Sequence, residues 1–293
     1  MEHASSIPVE VSGLTKLERL GLQLGWFPGS IPSALGTLTE LQMLALDAIG
    51  LTGTIPNSLE NLRNLRSLSI MHNEVTGTIP EGAINSLTLL ESFVFWDNFL
   101  TGPIPSFNRR LPIEDISLSY NFLTGTIPES ILLMGDLEIL YLSVNFLEGT
   151  IPEGIENLRS LTSLDLSHNT LSGTIPSSFP PNLRELWLSR NSLTGTLSST
   201  FGDLTQLELL HLHSNLLTGT LPSEIGELKN LKFASLGNNT FTGTVPSTYS
   251  ALGTHTIVCY ICVVTERIGC LLTVFAFCVR YDLVRDSVHQ HYR

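Results

Sequence analysis

A short phrase recurs along this 293-residue chain at a nearly constant interval. Gly-Thr-Ile-Pro occurs at 53–56, 77–80, 125–128, 149–152 and 173–176, and close variants fill the gaps. A frame of the form LxxLxxLxLxxNxL precedes each copy, most clearly at 158–171. Self-similarity at a period of about 24 residues is typical of a solenoid, so it constrains the fold more than length or composition does.

The asparagine of the frame marks the period, and we number the coils 1 to 10 by this position. It falls at ten positions from 25 to 239, separated by 22 to 25 residues. Coils 1 and 2 have Gly25 and Ile49 there. The other eight positions are Asn73, Asn98, Asn121, Asn145, Asn169, Asn191, Asn215 and Asn239. An amide offers donors and an acceptor, so we expect these side chains to point inward and satisfy backbone groups where the strand ends.

The rest of the frame has equally direct physical reasons. Leu164-Asp165-Leu166 alternates with period two, which predicts a short strand with its leucines on one side. In a single coil those leucines would be exposed to water on both sides, so the coils must stack. Their strands then form a parallel sheet with neighbours about 4.8 Å apart. The sequence therefore predicts an α/β-type repeat solenoid with a parallel sheet.

The period also predicts the domain organisation. We interpret residues 1–13 as the end of a preceding repeat, 14–246 as ten repeats, and 247–293 as a non-repeat tail. The apolar part of the tail, 256–279, is interrupted by Glu266 and Arg267. Each uninterrupted half is shorter than the ~20 residues that a membrane helix needs. A weak membrane helix, an irregular cap and a stretch without selected structure remain alternatives.

Charge and cysteine usage exclude some classes of partner. Residues 1–246 hold 11 Lys and Arg against 24 Asp and Glu, which argues against a nucleic-acid partner. All four cysteines lie in the tail, so no disulfide can staple the repeats. The N-terminal residues lack the apolar run of a secretory signal.

Between its buried leucines, each main strand presents residues to the concave side. Those of coils 1 to 3 are mostly small or aliphatic, whereas larger groups cluster from coil 4 onward. We predict that the partner-binding residues are Trp96, Tyr120, Tyr141, Asp165, His168, Trp187, Arg190, His211 and His213, with four of them, Tyr141, Asp165, Trp187 and His211, in one solvent-facing row beside a strip of serines. Aromatic rings beside Arg and Asp are typical of interface hot spots, although single exposed rings are normal on any surface.

No residue pattern predicts catalysis, a cofactor or a metal site. The sequence contains no recognisable pairing of a nucleophile with a base. His211 and His213 share a strand face, but the residues flanking them on neighbouring strands supply no third ligand. Asn238 is the glycosylation candidate, since it begins the sequon Asn238-Asn239-Thr240 and faces outward.

The LTGTIP phrase makes the chain resemble the plant-type leucine-rich repeats, and the resemblance covers about residues 7–246. Such repeats form the ectodomains of receptor-like kinases and receptor-like proteins, and the polygalacturonase-inhibiting proteins; similar arrays are abundant in some algae. The resemblance implies a right-handed superhelix with a concave parallel sheet, a second short strand at Leu-Thr-Gly, and an outer side of 3₁₀ turns. It also implies that ligands bind the concave or lateral face.

The paired-cysteine caps usual in such ectodomains and the motifs of a kinase domain are not in this sequence. We therefore expect a non-catalytic recognition scaffold that binds a protein, peptide or oligosaccharide on its concave face. An inhibitor of a cell-wall-degrading enzyme and an ectodomain fragment of a receptor-like kinase are the alternatives. The resemblance implies a cell-surface or extracellular location, with membrane association through the tail or an intracellular location as alternatives. The sequence indicates no oligomeric state.

Overall fold

The computed structural model describes residues 6–252 and 257–259. Within them, each coil adds one strand to a main sheet of eleven parallel strands. The strands are Arg19–Gln23, Met43–Asp47, Ser67–Ser69, Ser92–Val94, Asp115–Ser117, Ile139–Tyr141, Ser163–Asp165, Glu185–Trp187, Leu209–His211, Phe233–Ser235 and Ile257–Cys259. Each strand residue pairs with the residue at the same frame position in the next coil; Leu140, for example, pairs with Leu164. The predicted solenoid with a parallel sheet is confirmed.

One continuous core runs the length of the solenoid. The two inward leucines of a typical coil, Leu164 and Leu166, are fully buried. Each such side chain stabilises the fold by about 1.5–3 kcal/mol relative to exposure. In coil 1 the equivalent Leu20 and Leu22 are only partly buried. The hydrophobic stabilisation is therefore weaker at the N-terminal edge of the array.

The frame asparagines tie each coil to the coil before it. Asn169 accepts a hydrogen bond from the Leu147 N–H at 3.0 Å and donates to the Leu142 carbonyl at 3.0 Å. The same kind of hydrogen bond, from a backbone N–H of the preceding coil to the side-chain oxygen, is accepted by Asn98, Asn121, Asn145, Asn191, Asn215 and Asn239. Asn73 accepts from both Ile49 N and Leu51 N, so it serves two backbone groups of coil 2. These side chains thus satisfy buried backbone N–H groups that make no hydrogen bond in strand pairing.

The outer side consists of short helical turns. The 3₁₀ helices in the described residues are Val9–Gly13, Ser33–Thr37, Asn57–Asn61, Glu129–Leu133, Ile155–Asn157, Ser199–Asp203, Ser223–Glu227 and Ser247–Ala251, and coil 4 has the α-helix Glu81–Ser86 instead. Most of them follow a proline, such as Pro56 or Pro222. Proline fixes the backbone for the entry to a helical turn, and its missing N–H is not needed there.

A second, lateral sheet forms where the Leu-Thr-Gly segment leaves the main strand. Its strands in the described residues are Thr76–Thr78, Phe99–Gly102, Phe122–Thr126 and Phe146–Glu148, with Gly29–Ser30 and Leu51–Thr52 pairing separately. The glycine of each coil has a positive φ, 78° at Gly77 for example, which a residue with a Cβ adopts only under strain. The second short strand implied by the resemblance is present.

The main sheet continues past residue 246, where the sequence analysis placed the end of the repeats. The helix Ser247–Ala251 follows Pro246 as in earlier coils, and Ile257–Cys259 pairs with Phe233–Ser235. The remainder of the apolar stretch 256–279 lies outside the described residues. In the part of the chain that the structure describes, no helix is long and apolar enough to cross a membrane.

Candidate functional site

The concave face of the main sheet places the predicted row in one register. Tyr141 pairs with Asp165, Asp165 with Trp187, and Trp187 with His211. Parallel strands lie about 4.8 Å apart, so these four side chains span about 15 Å. The sheet therefore brings together residues that lie 22 to 24 positions apart in the chain.

An aromatic cluster lies beside this row on coils 3 to 5. We define it as His72, Trp96, Asp97 and Tyr120, all of which are half-buried. Nδ1 of His72 lies 2.9 Å from Oδ2 of Asp97. The Trp96 ring meets the rings of His72 and Tyr120 edge to face, with centroids 4.4 and 5.6 Å apart. Such contacts hold large rings in fixed orientations at the surface.

The row itself is more buried than the sequence analysis expected. Asp165, Trp187 and His211 are 2%, 7% and 0% exposed, so the expectation that all four row residues face solvent is wrong for these three. Rings on adjacent strands are close enough to cover one another. The imidazole of His211 stacks on Trp187 at a centroid distance of 3.6 Å and on Phe233 at 4.9 Å. Asp165 is held inward because its Oδ1 accepts from the hydroxyl and the N–H of Ser167.

A further lane of concave residues, two positions before the row, was not considered in the sequence analysis. It contains Ser163 and Glu185, which connect to the row in a hydrogen-bonded chain. The Tyr141 hydroxyl lies 2.9 Å from Oγ of Ser163, and the Ser163 hydroxyl donates to Oε2 of Glu185 at 2.9 Å. The alternation of the strand could have identified this lane, since every second residue shares a face.

Asp115 also belongs to this lane. Burial raises the pKa of its carboxyl above the ordinary range, and the hydrogen bond from the Ser117 hydroxyl at 2.7 Å opposes this shift. Serine hydroxyls thus orient the carboxylates of Asp115 and Glu185 in this lane, and that of Asp165 in the row. Fixed carboxylates on a recessed surface favour a cationic partner.

The serine strip that the sequence analysis placed beside the row is buried and hydrogen-bonded between neighbouring coils. Ser143 bonds to Ser119 through both its N–H and its hydroxyl, at 3.0 and 2.9 Å. Ser119, Ser143, Ser167 and Ser189 are all buried. Because these side chains are short, the face is recessed here between the taller groups on either side.

The residue before the frame asparagine has a left-handed backbone in all ten coils. These residues are Leu24, Ala48, His72, Asp97, Tyr120, Val144, His168, Arg190, Ser214 and Asn238. The sequence analysis placed three of them, Tyr120, His168 and Arg190, among the partner-binding residues of the concave side. Because a positive φ interrupts the alternation of side-chain directions along a strand, these side chains do not follow that alternation and lie at the rim of the concave face. Arg190 is exposed there and His168 is half-buried.

The remaining predicted residues lie at the C-terminal end of the face. His213 is buried, and its ring centroid is 6.3 Å from that of His211. Among the described residues, no group of three or more His, Cys, Asp or Glu side chains is placed to hold a metal ion. Asn238 is exposed and donates to the Ser214 hydroxyl at 3.1 Å, and its glycosylation remains a prediction.

Comparison with known proteins identifies the repeat. Residues 112–171 and 181–241 match the family model described as leucine rich repeat. Among solved structures, the chain is similar to the ectodomain of the plant membrane receptor kinase GASSHO1/SCHENGEN3 from Arabidopsis thaliana, with 33% identity and a TM-score of 0.76. This match covers 88% of the present chain and 34% of that chain. The repeats of the present chain are plant-type leucine-rich repeats.

Two other structures show how far the likeness extends. The Arabidopsis receptor kinase HAESA, solved with the peptide hormone IDA and the co-receptor SERK1, is 32% identical with a TM-score of 0.72, over 87% of this chain and 48% of that one. A plant ice-binding protein is 28% identical with a TM-score of 0.70, over 84% of this chain and 80% of that one. No curated protein sequence matches the chain. The leucine-rich-repeat chain thus spans about a third to a half of the two receptor ectodomains.

Proposed function

We propose that this leucine-rich-repeat array is a non-catalytic recognition scaffold that binds a peptide or protein segment on its concave face, at the cell surface or outside the cell. The proposal rests on one observation: half-buried aromatic rings and carboxylates held by hydrogen bonds lie side by side on adjacent strands of coils 3 to 8. The similarity to HAESA, which was solved with a peptide hormone, supports a peptide over an oligosaccharide.

The charges of the face suggest which peptides bind best. Asp97, Asp115 and Glu185 are half-buried on it, Asp165 is buried beneath it, and Arg190 is the cation at its rim in coil 8. Residues 1–246 as a whole carry 13 more acidic than basic side chains, 24 against 11. Fields of this sign attract cationic partners and raise their association rate. We therefore propose a segment that carries Lys or Arg beside an apolar residue.

The half-buried rings are expected to make the direct contacts. Trp96, Tyr120 and Tyr141 each keep part of their ring at the surface and are held by neighbours. A held ring loses little conformational entropy when it is covered, and alanine at such a hot spot costs about 2 kcal/mol or more. Trp187 and His211 are expected to support the face from beneath, because they are buried.

The test begins with a random peptide library selected on the immobilised full chain. Binding of a selected peptide is then measured by calorimetry for the natural chain, Tyr141→Ala and Trp96→Ala. Trp26→Ala is the matched control, since Trp26 is 65% exposed in coil 1, away from the proposed face. We expect each face variant to weaken binding by about thirtyfold, which is about 2 kcal/mol, and the control to bind normally. Equal effects of all three substitutions, or selection of acidic peptides, would count against the proposal.

A second candidate function, binding to ice, is favoured by a specific observation. The plant ice-binding protein is matched over 80% of its length, and the lateral side of the present chain carries a regular array of exposed threonines. We propose ice binding as a separate activity from peptide recognition, since it uses a different face. Ice recrystallisation in the presence and absence of the purified full chain tests this directly, and unchanged crystal growth would refute it.

A further inference from the structure

The lateral side of the solenoid has two columns of outward residues, one on each side of the Leu-Thr-Gly glycine. We call this surface the threonine lattice. Its first column is Thr52, Thr76, Thr101, Thr124, Glu148, Ser172, Thr194, Thr218 and Thr242, and its second is Thr54, Thr78, Pro103, Thr126, Thr150, Thr174, Thr196, Thr220 and Thr244. Fifteen of these eighteen positions are threonine, and all of them are exposed except Thr52, which is half-buried. The second column is unbroken over its last six coils, about 24 Å at the strand spacing.

The backbone beneath the first column repeats from coil to coil. The N–H of Thr194 donates to the Gly173 carbonyl at 2.8 Å, and Thr218 makes the same bond to Gly195 at 2.7 Å. The hydroxyls of Thr194 and Thr218 donate to the same two carbonyls, at 3.1 and 3.3 Å. Thr76 repeats both bonds in coil 3. These three side chains therefore hold one orientation.

The second column is fixed by the glycine of the following coil. A Cβ on Gly149 would lie 2.8 Å from the Thr126 methyl carbon, and one on Gly219 would lie 2.7 Å from that of Thr196. The corresponding distances at Gly102, Gly173 and Gly195 are 2.8, 2.8 and 2.9 Å. Each threonine methyl thus covers the next glycine in the same way. Because threonine is also stiff at χ1, hydroxyls and methyls recur at fixed positions.

The occupant that fits such a surface is itself periodic. The lattice repeats about every 4.8 Å along the solenoid and about every 6.7 Å along each strand, and ice is likewise a regular array of hydrogen-bonding groups. Its groups are already ordered, so little side-chain entropy is lost when water freezes against them. A protein partner would instead require pockets and irregular anchors, and the lattice holds one charged position, Glu148.

We propose that the threonine lattice is an ice-binding surface, with the hydroxyls anchoring lattice waters and the methyls ordering the water between them. This inference rests on the second proposed function and names the surface that performs it. The most regular part, coils 8 to 10, is expected to carry most of the activity, because both columns there are threonine without interruption.

The test compares the full chain with the double variant Thr196→Lys/Thr220→Lys in assays of ice recrystallisation and of ice-crystal shaping. Each lysine places a strongly hydrated charge in the lattice, so we expect the lowest effective concentration to rise about tenfold or more. Thr205→Lys is the matched control, since Thr205 is exposed on the outer side after the helix Ser199–Asp203. Circular dichroism establishes that all three proteins are folded.

Glu148→Thr provides a gain-of-function arm, because it removes the charge that interrupts the first column. We expect this variant to act at a lower concentration than the natural chain. If the natural chain leaves ice growth unchanged, the second proposed function fails. If the natural chain is active and the double lysine variant is equally active, ice binding stands but its assignment to the threonine lattice is overturned. Neither result bears on peptide binding, which uses the concave face.

Discussion

Replacing a frame asparagine by alanine tests how the coils are held together. Asn169 is 9% exposed and makes four hydrogen bonds to backbone groups. Asn169→Ala removes the acceptor of the Leu147 N–H, and Leu147 is fully buried. The Leu142 carbonyl keeps a bond from Asn145 at 3.1 Å, so the lost acceptor dominates the effect. An orphaned buried donor costs about 1–3 kcal/mol, and the lost donor bonds add about 1 kcal/mol. We expect a total loss near 3 kcal/mol.

The matched control is Asn182→Ala on the outer side of the array. Asn182 also donates to a backbone carbonyl of the preceding coil, that of Arg159 at 3.0 Å, but it is exposed. Water replaces that bond, so the control should change stability by no more than about 0.5 kcal/mol. Urea unfolding followed by circular dichroism measures both variants. Equal losses would show that burial of the frame asparagine does not determine its contribution, which would refute the reasoning.

Three further outcomes follow from particular residues. Val144→Asn should raise the free energy of unfolding by about 1 kcal/mol, because a β-branched residue is strained at the φ of 55° that it adopts, and urea midpoints that fall or stay equal would contradict this. Asp115 has a raised pKa, so its contribution to stability is present below the ordinary aspartate pKa of about 3.9 and is lost as the pH rises through its pKa in the folded protein. Asp115→Asn should therefore gain stability over the natural chain as the pH rises to neutral, whereas a gain that is constant with pH would exclude ionisation as the cause. Hydrogen exchange should be fastest in residues 6–30 and slowest in coils 5 to 8, since the core leucines of coil 1 are only partly buried; uniform protection would contradict this.

The architecture could be predicted from the sequence because each coil repeats the same physical solution. The period placed the main strands, the inward leucines and the asparagine contacts, all of which depend on spacing alone. The end of the array was harder to place. The sequence after Pro246 loses the frame, yet the backbone continues to Ile257–Cys259, since strand pairing requires few particular side chains.

The candidate site could be predicted only in part, because it depends on contacts between coils. Spacing identified the row that joins Tyr141 to His211, and the structure places it in register. Spacing did not indicate that the His211 ring would be enclosed between Trp187 and Phe233, which depends on ring orientation. The left-handed backbone before each asparagine also has no clear sequence signal, since residues as different as Val144 and Arg190 occupy it.

Side-chain footprinting of a bound peptide tests the central claim, recognition on the concave face, most directly. Hydroxyl radicals oxidise accessible aromatic side chains, and mass spectrometry locates the modified residues. With a selected peptide bound to the full chain, we expect oxidation of Trp96, Tyr120 and Tyr141 to fall, while Trp26 and Tyr249, which lie outside the proposed face, react as before. Protection of Trp26 or Tyr249 with no change at the three concave rings would contradict the account.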